Sequence, residues 1–418
     1  VPAPTPTSPL NNPSHSELHS DAIDHIVPGG NPHDLPFIDA ENDYGIVADG
    51  VTDNYAAIQT LITDVNALGG ARIFWPKGTI YVGQYIIGGG GSANGVTAFI
   101  FTDCAGLVFE MEGTKFDMFG DFNRGNDGSS ASWSNGIEWA FRECSDVVLI
   151  GGEFDGNVDQ MTKDAGVTES GKGGGTSGYG IEIRGGSNIT MVNTHIHHFS
   201  VDNLCLNMGV TTAVAHTICR GFTGINLKLN SCGRNSLTIG GARDVTFLNC
   251  QINDAGHTDA DGTAVGAYGY HDPQAGLDIE GNGFGIGTAA NQKEDWNDNI
   301  NFTGCQFLGN EQGAIIHVLE QETKNVTYDT CTFDITESSA TFGVNTATKN
   351  TRFVNCTIIG GTNTASGVQL HDNGHTDRAI SAASWAANEL TFDTGTLYHG
   401  LDPGDHVVIR TSTPAGYD

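Results

Sequence analysis

The sequence predicts an all-β fold, a right-handed parallel β-helix closed at its N-terminal end by a capping helix. Three observations carry that prediction. One line of text repeats: Asp244-Val245-Thr246-Phe247-Leu248-Asn249-Cys250 returns as Asn299-Ile300-Asn301-Phe302-Thr303-Gly304-Cys305, as Asn325-Val326-Thr327-Tyr328-Asp329-Thr330-Cys331 and as Asn350-Thr351-Arg352-Phe353-Val354-Asn355-Cys356. The last two Cys-to-Cys intervals are 26 (331 − 305) and 25 (356 − 331) residues, a period at which stacked units bury their apolar faces only against neighbours. Within each copy the apolar residues alternate, as they do in a strand and not in a helix. A second strand precedes each copy across a short turn: Ile181-Glu182-Ile183 leads through Gly185-Gly186 to Ile189, and Leu237-Thr238-Ile239 through Gly240-Gly241 to Val245. Short strands with turns at fixed phase describe one coil of a solenoid. Cys250, Cys305, Cys331 and Cys356 are then expected to form one column of small hydrophobes in its wall; none of their spacings resembles a zinc site.

Taken in order, residues 1–36 form an N-terminal segment. Its first 13 residues are Pro-rich and extended. Ser14 to Ile26 reads as a short helix with Leu18, Ala22 and Ile26 on one face, stopped by Pro28-Gly29-Gly30. So short a helix is marginal alone and needs a partner, either another copy of the chain or a larger assembly; the plain alternative is a disordered leader. Residues 37–375 are assigned to the β-helix and 376–418 to a small β appendage. Within the solenoid, Asp53 is the expected N-cap of a helix whose apolar stripe is Ile58, Leu61, Ile62 and Val65, closed by Gly69-Gly70. In the β-helix family that this block resembles, such a helix covers the open end of the solenoid, which otherwise exposes strand edges. Asp117–Trp133, Val158–Gly178, Asp254–Gln274 and Gly281–Asp298 are polar, Gly-rich interruptions. In a solenoid these are loops thrown out from a corner, where binding surfaces are built.

Composition narrows the partners. With 18 Lys and Arg against 49 Asp and Glu, the net charge is −31, which argues against nucleic acid and anionic membranes. No apolar run reaches the roughly 18 residues of a membrane span, so no membrane insertion is expected. Nine cysteines is an odd count, so no dense disulfide framework is implied. Val1 opens Pro-rich text rather than a basic and apolar signal, which leaves open whether a leader was removed.

The richest stretch for chemistry runs from Ala267 to Glu280. Leu277 and Ile279 are expected to face the core, so Asp278 and Glu280 point outward together, roughly 6 to 7 Å apart at Cα. Paired carboxylates at such a separation suit glycoside chemistry, because like charges that close split their pKa values into an acid and a base. Asp278, Glu280, Asp272 and His271 are the candidate catalytic residues. Tyr270 and Trp296 are candidates for stacking on sugar rings. Thr238, which stacks beside Asp278 by coil alignment, Glu182, further back on the same face, and Arg234, a nearby cation, are further candidates for binding substrate. The plain alternative is a solvated strand face in an acidic protein. Asp259-Ala260-Asp261-Gly262 can hold a hard cation such as calcium, although it lacks the spacing and terminal Glu of an EF-hand; no cofactor is expected beyond that ion. His195, His197 and His198, with Asp202 nearby, read as a surface turn or a polar edge of the groove. The Gly171–Gly175 run lacks the strand-to-helix context of a phosphate loop.

The block from Tyr44-Gly45 through Asp53, Ile58-Gln59, Gly69-Gly70 and Pro76-Lys77-Gly78 to Tyr81 resembles the N-terminal unit of the pectate-lyase-like β-helix superfamily. Gly151-Gly152-Glu153-Phe154-Asp155-Gly156-Asn157 is a phrase common in its polysaccharide-acting members. The Gly-Asp-Asp, Gly-His-Gly and Arg-x-Lys signatures of polygalacturonase-like hydrolases are absent. Tyr268-Gly269-Tyr270-His271-Asp272-Pro273-Gln274 is similar to the Tyr-Gly-x-Asp-Pro-His of mannuronan epimerases, with one extra residue and Gln274 where that family has His. Cations to neutralise a uronate carboxylate are few, Arg184, Arg234 and Arg243 being nearest by coil, so hydrolysis ranks above elimination. Asn12-Pro13-Ser14-His15 through Leu18-His19-Ser20-Asp21 resembles the opening of phage tail proteins. Together the resemblances imply a phage tailspike or tail-fibre depolymerase: a homotrimer on the virion tail, joined to tail or baseplate proteins through its N-terminus, that binds and cuts a bacterial surface polysaccharide. Two alternatives are a secreted lyase or uronate epimerase and a non-catalytic glycan receptor-binding fibre.

Overall fold

The computed structural model describes residues 35–83, 97–118, 137–157, 179–199, 201–207, 209–212, 215–256, 274–280, 297–311, 313–317, 323–334, 341–343, 348–359, 382–386, 389–393 and 410–412. The expected helix at Ser14–Ile26 lies outside these residues. Within them the chain winds as a right-handed parallel β-helix with three walls. The first wall is an eight-stranded parallel sheet that includes Thr97–Thr102, Tyr179–Arg184, Leu204–Asn207, Leu237–Gly240 and Ala275–Ile279. The second holds the repeated line, with Ala242–Leu248, Asn297–Thr303, Thr323–Asp329 and Thr348–Val354 paired in parallel. The third holds the strands after the corner position that Thr194, Leu227 and Cys250 share, among them His195–His197, Lys228–Cys232 and Gln251–Ala255. In the early coils one strand, Ala105–Met118 or Ser145–Asp155, runs through both second and third walls.

The repeat has a physical reading at each letter. Its interior aromatic stacks on the next coil: Phe247 on Phe302 at 5.1 Å, Phe302 on Tyr328 at 5.1 Å and Tyr328 on Phe353 at 4.9 Å between ring centroids. These distances match the roughly 4.8 Å between paired strands, so the sheet spacing sets the ring stack. The Asn or Asp that opens three of the four lines sits at positive φ: Asp244 (57°), Asn299 (54°) and Asn325 (53°). The residue before each cysteine does the same, as in Asn249 (53°), Gly304 (65°) and Asn355 (51°). Asn, Asp and Gly tolerate this left-handed backbone best, so they mark the corners. Their side chains form ladders, for example Asn299 Nδ2 donating to Asp244 Oδ1 at 2.7 Å. Cys250, Cys305, Cys331 and Cys356 occupy equivalent, buried positions as free thiols, each Sγ donating to a carbonyl one coil back (Gly224, Phe247, Phe302 and Tyr328).

Helix α1 (Ala40–Tyr44) precedes the capping helix α2 (Tyr55–Leu68), which buries Ile58, Leu61, Ile62 and Val65. Asn66 fixes α2 to the first coil, donating to Ile100 O at 2.9 Å and accepting from Thr102 N at 3.1 Å. The N-cap is Asn54, not the expected Asp53. The Asn54 amide is taken up by Val47, Thr52 and Tyr81 backbone groups, while Asp53 Oδ1, one residue outside, accepts from Tyr55 N and Gly83 N, each at 3.0 Å. An antiparallel hairpin, Gly209–Thr212 with Ala215–Thr217, interrupts the coils. Towards the C-terminus Ala382–Ala386 and Glu389–Asp393 form a second hairpin, and Arg410–Ser412 adds in parallel to Thr357–Ile359 of the third wall. Among the described residues no helix is long and apolar enough to cross a membrane.

Candidate functional site

The outer face of the first wall carries one row in register: Glu182, Cys205, Thr238 and Asp278. Alternation puts Leu277 and Ile279 in the core on either side, so Asp278 faces away from it as expected. The environment of Asp278 differs from the expectation. It is not on an open surface but 1% exposed, beneath a polar network in which Asp202, Asn235 and Thr238 are each fully buried. Burial of polar groups is tolerated where they satisfy one another, and here the bonds form a chain. Arg234 grips Asp202 with two nitrogens, Nε donating to Oδ1 at 2.7 Å and Nη2 to Oδ2. Thr238 Oγ1 donates to Asp202 Oδ2 at 2.8 Å, and Asn235 Nδ2 reaches both Thr238 Oγ1 and Asp278 Oδ2 at 3.2 Å. Asn235 Oδ1 accepts from Ala275 N at 3.0 Å, which locks the amide's orientation.

Asp278 receives only that one neutral hydrogen bond among the described residues; its buried Oδ1 has none there. Burial, reinforced by the Glu280 charge two residues on, pushes the Asp278 carboxyl well above the usual carboxylate range. Glu280 stands just past the strand and is half-buried; its N–H donates to Ile239 O at 3.0 Å. Glu182, also 1% exposed, accepts from Arg184 Nη2 at 2.6 Å and from Asn207 Nδ2 at 3.2 Å.

The arginines expected to face substrate are engaged. Arg234 is held by Asp202 and lies 5.8 Å from the Tyr179 ring centroid, and Arg184 is held by Glu182. Arg243 lines a different corner, a cavity of about 600 Å³ bordered by Glu143, Ser187, Thr217 and Arg220. Tyr270, His271, Asp272, Trp296, Asp259 and Asp261 lie outside the described residues.

A second polar cluster occupies the outer face of the third wall. Lys115, Glu153, His195 and Lys228 share one row, and Asp117, Asp155, His197 and Asn230 the next. The histidines meet Asp155 and Glu153 rather than Asp202: His198 Nδ1 lies 3.3 Å from Asp155 Oδ1, and His197 Nε2 lies 3.3 Å from Glu153 Oε1. Burial works against the Asp155 charge, but His198, His197 and Lys115 together outweigh it and hold the carboxyl well below its usual range. Sequence reading missed Asp202, Asn235, Lys115 and Asp155 as partners. Asp155 lay within the Gly151–Asn157 phrase, and Asp202 directly before a first-wall strand.

No family model matches the chain. The uncharacterized protein YclG of Bacillus subtilis (strain 168) is 25% identical over 277 residues, 65% of this chain and 42% of that protein. The SPbeta prophage-derived uncharacterized protein YorA of the same organism is 24% identical over 172 residues, 40% of this chain and 26% of that one. The chain thus spans less than half the length of the curated relatives it matches. Similar solved structures include ORF18 of Geobacillus virus E2 (TM-score 0.46, 12% identity, 83% of this chain and 55% of that chain). Others are an iota-carrageenase complexed to iota-carrageenan fragments (TM-score 0.43, 11% identity, 84% and 64%) and the tailspike protein gp49 of Acinetobacter baumannii bacteriophage Fri1, a capsular polysaccharide depolymerase (TM-score 0.36, 16% identity, 79% and 50%). By its own cap helix, in-register coils and corner columns, the chain is a right-handed parallel β-helix.

Proposed function

We propose that the chain is a tailspike-like depolymerase that binds a bacterial surface polysaccharide and cleaves it by glycoside hydrolysis. The observation that carries this reading is the Asp278 carboxyl: buried, with one hydrogen bond among the described residues, and two residues from a second carboxylate. A carboxyl kept protonated near neutral pH is what a glycosidic leaving oxygen requires. Asp278 is the general acid. Glu280, or Asp272 from the adjoining loop, activates water as the base, and His271 orients or donates a proton. Tyr270 and Trp296 stack on sugar rings. Arg234 and Thr238 act as positioning residues, since Arg234 fixes Asp202 and Asp202 fixes Thr238.

Hydrolysis is favoured over elimination because elimination needs a free cation at the uronate carboxylate, and Arg184 and Arg234 already carry carboxylate partners. The molecule acts as a homotrimer attached to the tail through residues 1–36, on the strength of the tail-protein resemblance there. The test is product chemistry on host capsule and lipopolysaccharide glycans. New reducing ends without ultraviolet-absorbing unsaturated sugars are expected. Unsaturated ends would replace this reading with a lyase, and tight binding without cleavage would replace it with a receptor-binding fibre.

A further inference from the structure

We infer that Glu153, His195 and His197 form a binding site for a divalent ion of the zinc type, on the outer face of the third wall. His195 and His197 are two apart on one strand and so project from the same face. Glu153 stands directly across from His195 on the preceding coil, in the register His195 to Glu153 and His197 to Asp155. The stacked imidazoles lie 4.1 Å apart between centroids, and the three side chains offer one ligand atom each, all within 4.8 Å of one another.

The distances favour an ion over a hydrogen bond. His197 Nε2 and Glu153 Oε1 are 3.3 Å apart, long for an N–H···O bond, which centres near 2.9 Å. Two ligands at about 2.0 to 2.1 Å from one tetrahedral ion are themselves separated by about 3.3 Å. Two imidazoles with one carboxylate suit zinc and its first-row neighbours and not calcium, which takes oxygen ligands. The Glu153 side chain is 40% exposed, so water can fill the remaining positions. The neighbouring trio of Asp155, His197 and His198 is the weaker choice. Asp155 is buried and already bonded to Lys115 Nζ at 2.7 Å and Asn157 N at 3.1 Å. Lys115 is the competitor: its ammonium also lies 3.5 Å from Glu153 Oε1, and an ion there leaves it to Asp155, to which it is closer.

The test uses the full chain, stripped with chelator and titrated calorimetrically with Zn²⁺ and, separately, Ca²⁺. Wild type is expected to take up a Zn²⁺ equivalent that His195→Gln/His197→Gln lacks and Glu153→Gln weakens, with no matching Ca²⁺ uptake. Lys115→Met is expected to tighten that equivalent about tenfold, by removing a like charge a few ångströms away. Circular dichroism confirms that each variant folds; Glu153→Gln, a change at a part-exposed side chain, keeps the test open if the double variant does not. Absence of Zn²⁺ uptake by wild type, or an undiminished equivalent in Glu153→Gln and the histidine variant, would overturn the inference. So would Ca²⁺ binding as tightly at the same residues.

Discussion

The outer faces of the first and third walls are built on the same scaffold and treat their carboxyl groups in opposite ways. On the third wall, Asp155 is surrounded by Lys115, His197 and His198, and it is held in the charged form. On the first wall, Arg234 is engaged by Asp202, and among the described residues Asp278 has one amide bond and a carboxylate neighbour. Coil stacking alone therefore does not set the protonation state. What sets it is whether a cation lies against the carboxylate or is claimed by another one. The first wall holds a buried carboxyl whose pKa is pushed up, whereas the third gathers carboxylates, imidazoles and a lysine.

The largest expected effect separating the two faces is catalytic. Asp278→Asn should lose about 10² to 10⁴ in polysaccharide cleavage rate while glycan binding persists, measured by reducing-end release beside a binding isotherm. Lys115→Met should leave the cleavage rate within a few-fold of wild type. A stability contrast comes next. Arg234→Met strands a fully buried Asp202 charge and should cost about 3 to 5 kcal/mol. Lys115→Met removes a part-exposed ion pair, with Lys115 33% exposed, and should cost about 1 kcal/mol or less. Denaturant titration of both variants checks the ordering, and equal losses would erase the distinction.

A smaller effect is the pH dependence of stability. Because the folded-state pKa of Asp278 is raised, the native state keeps a proton that the unfolded state has already lost. Asp278 therefore contributes a loss of stability as pH rises from about 4, the unfolded carboxylate value, through its folded pKa. Asp278→Asn should flatten that limb of the stability–pH profile, and an unchanged slope would show that Asp278 is charged in the native state.

Much of the solenoid was legible because its signals are local. The αL corners favour Asn, Asp or Gly, with Thr330 an exception, the interior takes a stacked aromatic, and the small corner site takes Cys, so the repeated line could be read letter by letter. The stacking of Thr238 on Asp278, with Glu182 in the same row, followed from counting those letters. The partners that decide the chemistry were not legible. Lys115, Glu153 and His195 meet across early coils swollen by long insertions, where the 25-residue count fails. Asp202 pairs with Arg234 from one coil further on, and nothing in either local sequence announces it. The same gap hid the burial of Asp278: alternation shows that a side chain leaves the core, but not what covers it afterwards.

The most direct test of the account is the ionisation of Asp278 itself, read as the infrared difference spectrum of wild type minus Asp278→Asn across pH. The account predicts a protonated carboxyl C=O band, present at neutral pH, that belongs to Asp278 and vanishes only well above the ordinary carboxylate range. A difference spectrum at neutral pH that shows only carboxylate bands would contradict it.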